Sequence, residues 1–480
     1  MIFDLLVIGA GPGGQKAAIQ GAKSGARVAL VDPAARGGGA CVRQGTIPSK
    51  TLRETALVLA RAREKSGGIA ALSLPQDLQL QSCMLRKREV IDAHEGFIDA
   101  QLDRNGVERI QGKARLISPR TVEVVRIGRT SLRLEARRIV IATGSRPSAP
   151  KGIELDHEFT FDSDSILNMG YLPRSLVVIG GGVIASEYAS VFAQLGVEVT
   201  LVHGYPGPLG FLDPELVEHF VEQFEVAGGR HLPNSRIEAC GRAGLRGAIT
   251  RLSDGRKLVS ERVLVASGRV ANADRIGLDT LGIELSARGH IPVDDDFETP
   301  CPGVYAVGDA VGPPALASAS MEQGRRAACH ALGLAFPHET DHIPVGVFTI
   351  PELASVGETE VSARRAGVDC VVGRAHFAEV ARSHIAASPT GFLKLVVARD
   401  GRVIGVQIAG ENAAELLSVG QLAVRYRAQA CDLVDSVFNF PTLAEAYRIA
   451  GLSAVAALES SDEAVDATRF ERHAPPHAAV

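Results

Sequence analysis

The stretch DLLVIGAGPGG, residues 4–14, decides the fold of the first part of this 480-residue chain. An apolar run followed by spaced glycines predicts a strand, a tight turn and the start of a helix. Gly9 allows the turn, Gly11 lets a pyrophosphate approach the backbone, and Gly14 lets the helix pack on the strand. Free N–H groups at the helix start attract phosphate. Asp32, at the end of the next strand, can accept hydrogen bonds from a ribose.

A second copy of the pattern, LVVIGGGVIA, occupies residues 176–185. It carries Gly180 and Gly182, with Ala185 where the first copy has its third glycine. In both copies 23 residues separate the first glycine from the end of the next strand, 32 − 9 in the first and 203 − 180 in the second. One such motif is a weak signal. Two copies in the same frame predict two βαβ dinucleotide-binding folds, an internal duplication.

The two copies differ at the residue that ends their second strand. An acid there, such as Asp32, would repel a 2′-phosphate, whereas His203 would not and could donate a hydrogen bond to it. The second site is therefore predicted to accept both NAD and NADP. The alternative is that His203 is an unengaged loop residue.

Composition excludes several classes of function. The chain has 51 basic and 55 acidic residues, a net charge of −4, so no nucleic-acid partner is expected. No apolar run reaches the roughly 18 residues of a membrane span. The seven cysteines are dispersed and form no Cys-x-x-Cys, which argues against a disulfide scaffold and a metal site. We expect a cytoplasmic protein without a membrane partner or a metal.

The segment GGGACVRQGTIPSKTL, residues 37–52, resembles the flavin disulfide reductases. Their signature has two cysteines, separated by four residues, before Pro-Ser-Lys; here Cys41 takes the first position and Thr46 the second. The resemblance extends over about residues 3–458. GTIPSK at 45–50 and FNFPTLAEAYR at 438–448 are most similar to the soluble, Si-specific pyridine nucleotide transhydrogenases.

The resemblance implies an α/β fold with two Rossmann-like nucleotide-binding domains and a C-terminal α+β dimerisation domain. FAD would occupy the first nucleotide fold, and NAD(H) and NADP(H) would be substrates at the second. The implied divisions are 1–150 with 273–340 for FAD, 151–272 for NAD(P), 341–460 for dimerisation and a flexible tail, 461–480.

A homodimer or higher homo-oligomer is implied by the C-terminal domain. The predicted helix 412–426 has an apolar face that fits an isologous interface, and fits a monomer's core nearly as well. That face comprises Leu416, Leu417, Val419 and Leu422.

The resemblance also assigns site residues. Lys50 would lie beside flavin N5, paired with Glu187, and the catalytic set would include Thr46 and Glu445. The residues implied for FAD are Gly9, Gly11, Gly14, Asp32, Gly38, Gly39, Cys41, Thr46, Lys50, Gly112, Ala114, Thr143, Gly144, Ser145, Gly308, Asp309, Leu316 and Ala317. Those implied for the nicotinamide nucleotide are Gly180, Gly182, Val183, Ile184, Glu187, His203, Gly268 and Arg269.

The substitutions within the motifs indicate the reaction. Reduction of a substrate through thiols needs two of them, and Thr46 has no redox chemistry. The general base of the resembled enzymes, a histidine before Pro-Thr, is here Phe440, so Glu445 has lost its imidazole partner. With the thiol half-reaction removed, the sequence predicts reversible ping-pong hydride transfer between NADPH and NAD⁺ through FAD.

Two other functions stay open. Residues 204–209, GYPGPL, lack the arginine-rich turn of the transhydrogenases, and its absence weakens the binding of a 2′-phosphate. An NAD(P)H:quinone or dye reductase is therefore the first alternative. A flavin-binding redox sensor is the non-enzymatic alternative, since fold does not fix function. Lys50 with Glu187 could also be a plain buried ion pair, and Cys41 an inert thiol.

Overall fold

The computed structural model describes residues 2–65, 76–148, 150–244, 247–336 and 342–471; for residues 62–65, 76–81, 83 and 461–471 it describes the backbone alone. The chain forms two compact units. The first comprises Met1–Gly204 and Asn234–Glu339, and the second comprises Tyr205–Pro233 and Thr340–Val480. Residues 205–233, predicted to lie in the NAD(P)-binding domain, thus share a unit with the C-terminal region.

The strands and helices follow in chain order. The strands are β1 (Ile2–Ile8), β2 (Val28–Asp32), β3 (Glu108–Gln111), β4 (Lys113–Ser118), β5 (Thr121–Val125), β6 (Leu132–Ile141), β7 (Ser145–Pro147), β8 (Thr160–Asp162), β9 (Ser175–Ile179), β10 (Glu198–Val202), β11 (Arg230–Leu232), β12 (Ile237–Arg242), β13 (Ala248–Leu252), β14 (Lys257–Ser260), β15 (Arg262–Val265), β16 (Arg269–Ala271), β17 (Val304–Ala306), β18 (Val345–Val347), β19 (Glu352–Gly357), β20 (Cys370–His376), β21 (Gly391–Ala398) and β22 (Val403–Gly410). The helices are α1 (Pro12–Lys23), α2 (Gly39–Arg43), α3 (Thr46–Lys65), α4 (Gln76–Arg104), α5 (Val183–Gln194), α6 (Pro214–Val226), α7 (Ala317–Ala331), α8 (Glu360–Arg365), α9 (Ala381–Ala386), α10 (Ala413–Arg425), α11 (Ala430–Asp435) and α12 (Glu445–Glu471). Short 3-10 helices occupy Ile166–Asn168, Leu278–Leu281, Gly308–Ala310 and Phe377–Glu379.

The first nucleotide fold is a seven-stranded sheet whose parallel part has β1 between β2 and β6, with β3 beyond β2 and β17 paired with β6. β5 and β4 extend the sheet from β6 in antiparallel pairing. Its central strands carry continuous buried apolar runs, 5–8 in β1 and 28–31 in β2, as expected for parallel strands that are covered on both faces. Along β1, Leu6 and Ile8 pack in one core cluster, and Leu5 and Val7 pack in the other. β1 and β2 end side by side, which brings the glycine turn and Asp32 to one edge of the sheet.

The second nucleotide fold repeats this plan. β9 lies between β10 and β15, β8 pairs with β15, and all these pairs are parallel. The glycine turn after β9 leads into α5, as the turn after β1 leads into α1. The duplication predicted from the two glycine motifs is therefore present in the backbone.

The second unit contains an antiparallel sheet of order β18-β19-β22-β21-β20. The Asp400-Gly401 dipeptide connects β21 and β22, as predicted for a hairpin. On α10, Leu416 and Leu417 are buried in the core of this unit, whereas Leu422 is 55% exposed. The apolar face of this helix was predicted to fit either a dimer interface or a core, and Leu416 and Leu417 belong to the core.

The predicted α/β class, with two nucleotide folds and an α+β C-terminal region, is confirmed. The three-domain boundaries stay a prediction. In the segment predicted as a tail, α12 is helical through Glu471, and residues 472–480 lie outside the described residues. Within the described parts of the chain, no helix has the length and apolar character needed to cross a membrane.

Candidate active site

The first glycine turn is closed to side chains at two positions and open at one. A methyl group at Gly9 would lie 2.3 Å from the Ala142 carbonyl oxygen, and one at Gly14 would lie 1.8 Å from the Gly9 carbonyl oxygen. A methyl group at Gly11 would meet nothing within 4 Å. Gly11 is the N-cap of α1, and no side chain caps the first N–H groups of that helix. The open space and the uncapped donors together suit a phosphate.

The second turn repeats this geometry. A methyl group at Gly180 would lie 2.3 Å from the Ala266 carbonyl oxygen, and one at Gly182 would meet nothing within 4 Å. Gly182 is the N-cap of α5, again without a side-chain cap. Ala185 fills the place of the third glycine and is fully buried. Both turns can therefore take a pyrophosphate, and Val183 and Ile184 begin the second helix.

A cavity of about 380 Å³ opens beside the first turn, at the ends of β1 and β2. Asp32 lies in its wall, with Oδ2 accepting a hydrogen bond from the Ala10 amide at 2.7 Å and Oδ1 one from the Ala34 amide at 2.8 Å. These bonds fix the carboxylate while leaving it further lone pairs for a ribose. The other lining residues are Ala10, Leu30, Ala34, Ala35, Arg36, Gly37, Leu102, Asp103, Val107, Arg109, Ile110 and Gln111.

The other positions implied for FAD surround the same turn. A methyl group at Gly39 would lie 2.7 Å from Cα of Gly11, and the Gly38 amide donates to the Ala10 carbonyl at 2.8 Å. The Gly112 amide donates to the Asp32 carbonyl at 2.9 Å, which places β4, with Ala114, next to the strand end. Further positions follow β6 or lie around the start of α7: Thr143, Gly144, Gly308, Leu316 and Ala317.

A buried side-chain oxygen without a hydrogen-bond partner supports the binding of a ligand at this site. Oγ1 of Thr143 is buried and has no hydrogen-bond partner among the described residues. A buried hydroxyl normally has a partner, so this one has a donor and acceptor to offer to a ligand. Together with the open turn and the cavity, it shows that the residues present fit FAD.

Lys50 and Glu187 are brought together from α3 and α5. Nζ of Lys50 lies 2.6 Å from Oε2 of Glu187. The carboxylate side chain is 7% exposed and the lysine side chain 24% exposed. The ion pair therefore holds the Lys50 side chain at the edge of a buried region, with its position fixed by the second nucleotide fold.

Cys41 and Thr46 occupy the two positions of the resembled disulfide. Burial raises the pKa of the Cys41 thiol, and a hydrogen bond with Thr46 and the charge of Lys50 offset part of that rise. Cys41 is a free cysteine. Its thiol is therefore protonated near neutral pH and is a weak nucleophile.

A hydrogen-bonded chain that the sequence did not reveal joins the two nucleotide folds of the first unit. Nε of Arg269 donates to Oγ of Ser145 at 2.8 Å, and Ser145 donates to Oδ2 of Asp309 at 2.6 Å. The Arg269 guanidinium also lies 3.3 Å from Oδ1 of Asp164. Burial raises the pKa of Asp164, and Arg269 opposes that shift. Asp164 and Arg269 are 105 residues apart, so no local spacing could have indicated the pair.

Glu445 and Phe440 lie in the second unit. Oε2 of Glu445 is buried and has no hydrogen-bond partner among the described residues. Phe440 is 69% exposed and offers no hydrogen-bonding group. The carboxylate thus lacks the imidazole partner that the resembled reductases would supply.

The remaining predicted nucleotide residues follow the strands of the second fold. Gly268 has a φ of 144°, which favours glycine, and precedes Arg269. His203 follows β10 and is 2% exposed. The roles of all these residues stay predictions. In the described residues, no group of three or more His, Cys, Asp or Glu side chains is arranged to hold a metal ion.

Comparison with known proteins identifies the family. Residues 3–324 match the model of the pyridine nucleotide-disulphide oxidoreductases, and residues 343–450 match that of their dimerisation domain. A soluble pyridine nucleotide transhydrogenase of Mycobacterium bovis is 41% identical over 452 residues, covering 94% of this chain and 96% of the relative. The chain belongs to the soluble pyridine nucleotide transhydrogenase family. A relative of the same name from Aliivibrio fischeri is 37% identical, covering 94% of this chain and 96% of its own.

Solved structures show the same architecture. LpdA of Mycobacterium tuberculosis superposes with a TM-score of 0.87 at 28% identity, covering 93% of this chain and 98% of its own. The HOCl-induced flavoprotein disulfide reductase RclA of Escherichia coli, as a Cu(II) complex, superposes with a TM-score of 0.84 at 25% identity. The match covers 94% of this chain and 99% of the RclA chain. The predicted family resemblance is confirmed. Members of the soluble transhydrogenase family are oxidoreductases, and the wider family implies FAD and a nicotinamide nucleotide.

Proposed function

We propose that this chain binds FAD in its first nucleotide fold and catalyses reversible ping-pong hydride transfer between NADPH and NAD⁺ at its second. The observation that carries the proposal is the Cys41–Thr46 pair: one free thiol, whose pKa is raised by burial, beside a hydroxyl that has no redox chemistry. The unpartnered Glu445 supports it, because the base of a thiol half-reaction is missing as well.

In the first unit, some residues would hold FAD, and Lys50 would compensate the negative charge that develops during hydride transfer. The turn at Gly11 and the carboxylate of Asp32 would hold the pyrophosphate and a ribose of FAD, and the Ser145–Asp309 bond would fix the carboxylate of Asp309 as a further FAD-binding group. When bound, FAD would supply a two-electron carrier between two nicotinamides. Lys50, held by Glu187, would place a positive charge where negative charge develops during transfer.

The same site would bind the two dinucleotides in turn. The uncapped helix start at Gly182 would hold the pyrophosphate of each, and Arg269, fixed by Ser145 and Asp164, would stand beside it. Because one binding site serves both substrates, one must leave before the other enters. This order produces ping-pong kinetics.

We further propose a homodimer formed through the second unit. Its family match is a dimerisation domain, and several large apolar side chains on this unit are at least half exposed. They include Leu422, Tyr426, Val437, Phe440 and Leu452. Exposed apolar residues mark an interaction surface where they gather into one contiguous patch. The cytoplasmic location stays a prediction.

A steady-state assay with NADPH and a thio-NAD analogue tests the proposed reaction on purified, FAD-loaded protein. We expect rapid formation of the reduced analogue with parallel initial-rate lines, as ping-pong exchange requires. Quinone turnover that is faster than analogue reduction with either NADPH or NADH would instead support the quinone reductase. A chain that exchanges no hydride and dimerises differently when reduced would support the sensor.

Replacing Cys41 with serine should leave the exchange rate within about twofold of the unchanged protein, since no step uses the thiol. The flavin content of the variant provides the control, because Cys41 lies near the FAD turn. Loss of exchange with full flavin content would show that the thiol takes part, and the proposed reaction would then be wrong.

A further inference from the structure

The end of strand β10 is where an adenosine ribose comes to lie in a dinucleotide fold. His203 occupies this end but is 2% exposed. A methyl group at Gly181, in the middle of the glycine turn, would lie 2.9 Å from Cγ of His203, so the imidazole packs beneath that turn. The His203 ring therefore packs against the second glycine turn and is buried.

An exposed arginine lies beside this strand end. A methyl group at Gly204, the residue after His203, would lie 3.4 Å from Cγ of Arg236. The main chain of Arg236 is fixed, since its carbonyl accepts a hydrogen bond from the Ser253 amide at 2.9 Å. Its side chain is exposed and makes no ion pair or hydrogen bond with any described residue.

The neighbouring cation is already neutralised. Arg256 donates to Oγ of Ser235 at 2.9 Å and forms a 2.6 Å ion pair with Asp254. Arg236 is thus the cation at this strand end whose charge has no carboxylate partner in the described part of the chain. An acid is also missing at the strand end itself, where His203 stands.

We infer that Arg236 binds the 2′-phosphate of NADP(H) and so sets the affinity of the second site for the phosphorylated dinucleotide. A guanidinium can donate two parallel hydrogen bonds to a phosphate, which an imidazole ring cannot. Arg236 would thereby replace the arginine-rich turn that residues 204–209 lack. This inference rests on the proposed function, since it assumes that NADP(H) is a substrate.

Binding to the FAD-loaded protein, measured by calorimetry without turnover, tests the inference. The ligands are adenosine 2′,5′-bisphosphate and NADP⁺, with 5′-AMP and NAD⁺ as the counterparts that lack the 2′-phosphate. We expect Arg236→Gln to weaken the 2′-phosphorylated ligands by about 10- to 100-fold, and Arg236→Lys to recover part of that affinity. Binding of 5′-AMP and NAD⁺ should stay within about twofold. Arg251→Gln, which removes another exposed arginine from the adjacent antiparallel sheet, is the matched control and should change nothing.

The outcomes separate this inference from the proposed reaction. Equal affinity of Arg236→Gln and the unchanged protein for adenosine 2′,5′-bisphosphate overturns it, as does an equal loss of affinity for 5′-AMP. An unchanged protein that does not bind the bisphosphate also contradicts it. Normal 2′-phosphate selectivity that depends on Arg236, in a protein that does not transfer hydride to NAD⁺, supports the inference while refuting the proposed reaction.

Discussion

Replacing Lys50 with methionine should slow the reduction of bound flavin by NADPH by about 100- to 1,000-fold, the usual loss when a preorganised stabilising group is removed. The reason is the 2.6 Å contact that fixes the Lys50 ammonium through a Glu187 carboxylate that is 7% exposed. The Lys50 ammonium is thus preorganised, whereas water molecules that took its place would have to reorganise during hydride transfer. Methionine keeps the bulk of the side chain but removes the positive charge beside the buried Glu187 carboxylate.

The measurement is anaerobic stopped-flow absorbance of the flavin after mixing with NADPH, together with the flavin reduction potential. We expect the Lys50→Met potential to move in the negative direction, which a structural role alone would not produce. Lys50→Arg should restore part of the rate, and Lys23→Met, at the exposed end of α1, should reduce at the normal rate. An unchanged rate and potential in Lys50→Met would leave the pair as a plain buried ion pair.

Adding a methyl group at Gly11 should weaken FAD binding by about 100-fold, about 3 kcal/mol, without unfolding the chain. Gly11 has a φ of −71°, which alanine adopts readily, and its methyl group would meet no protein atom within 4 Å. It would instead occupy the space at the uncapped start of α1, where the pyrophosphate is proposed to lie. Equilibrium dialysis against FAD and thermal unfolding of the FAD-free chain measure the two effects separately.

Gly14→Ala is the matched contrast. Its methyl group would lie 1.8 Å from the Gly9 carbonyl oxygen, so the strand and helix must separate. We expect it to lower the unfolding free energy by about 1–3 kcal/mol and to lose FAD as a consequence. If Gly11→Ala binds FAD normally, the site at this turn is refuted. If instead it lowers stability as much as Gly14→Ala does, the turn is a packing feature and no ligand site.

The sequence predicted the parts of the site that depend on local spacing. A glycine turn, a strand-end acid and a following helix are neighbours along the chain, so their motif fixes their arrangement in space. A methyl group added at Gly9 or at Gly180 would lie 2.3 Å from a carbonyl oxygen in the segment after a neighbouring strand. The equal distances show how closely the two copies agree. The Lys50–Glu187 contact was predicted only through the family resemblance, because 137 residues separate the pair.

Burial was the property that sequence patterns predicted least well. The apolar stripe of α10 fitted a dimer face and a core equally, and only packing assigns Leu416 and Leu417 to the core. His203 was expected to face a ligand, yet its ring lies under the glycine turn. Asp164 and Arg236 belong to no motif. Their positions follow from strand pairing between distant segments, which no local spacing records.

In the proposed reaction, reducing equivalents pass from one nicotinamide nucleotide to another without a thiol relay. Sequential-mixing stopped flow tests it most directly: FAD-loaded protein is reduced anaerobically with one equivalent of NADPH and then mixed with NAD⁺. We expect a single equivalent to bleach the flavin fully, and NAD⁺ to restore the oxidised absorbance at least as fast as steady-state turnover. Uptake of a second equivalent before bleaching is complete, or reduced flavin that NAD⁺ fails to reoxidise, would contradict it.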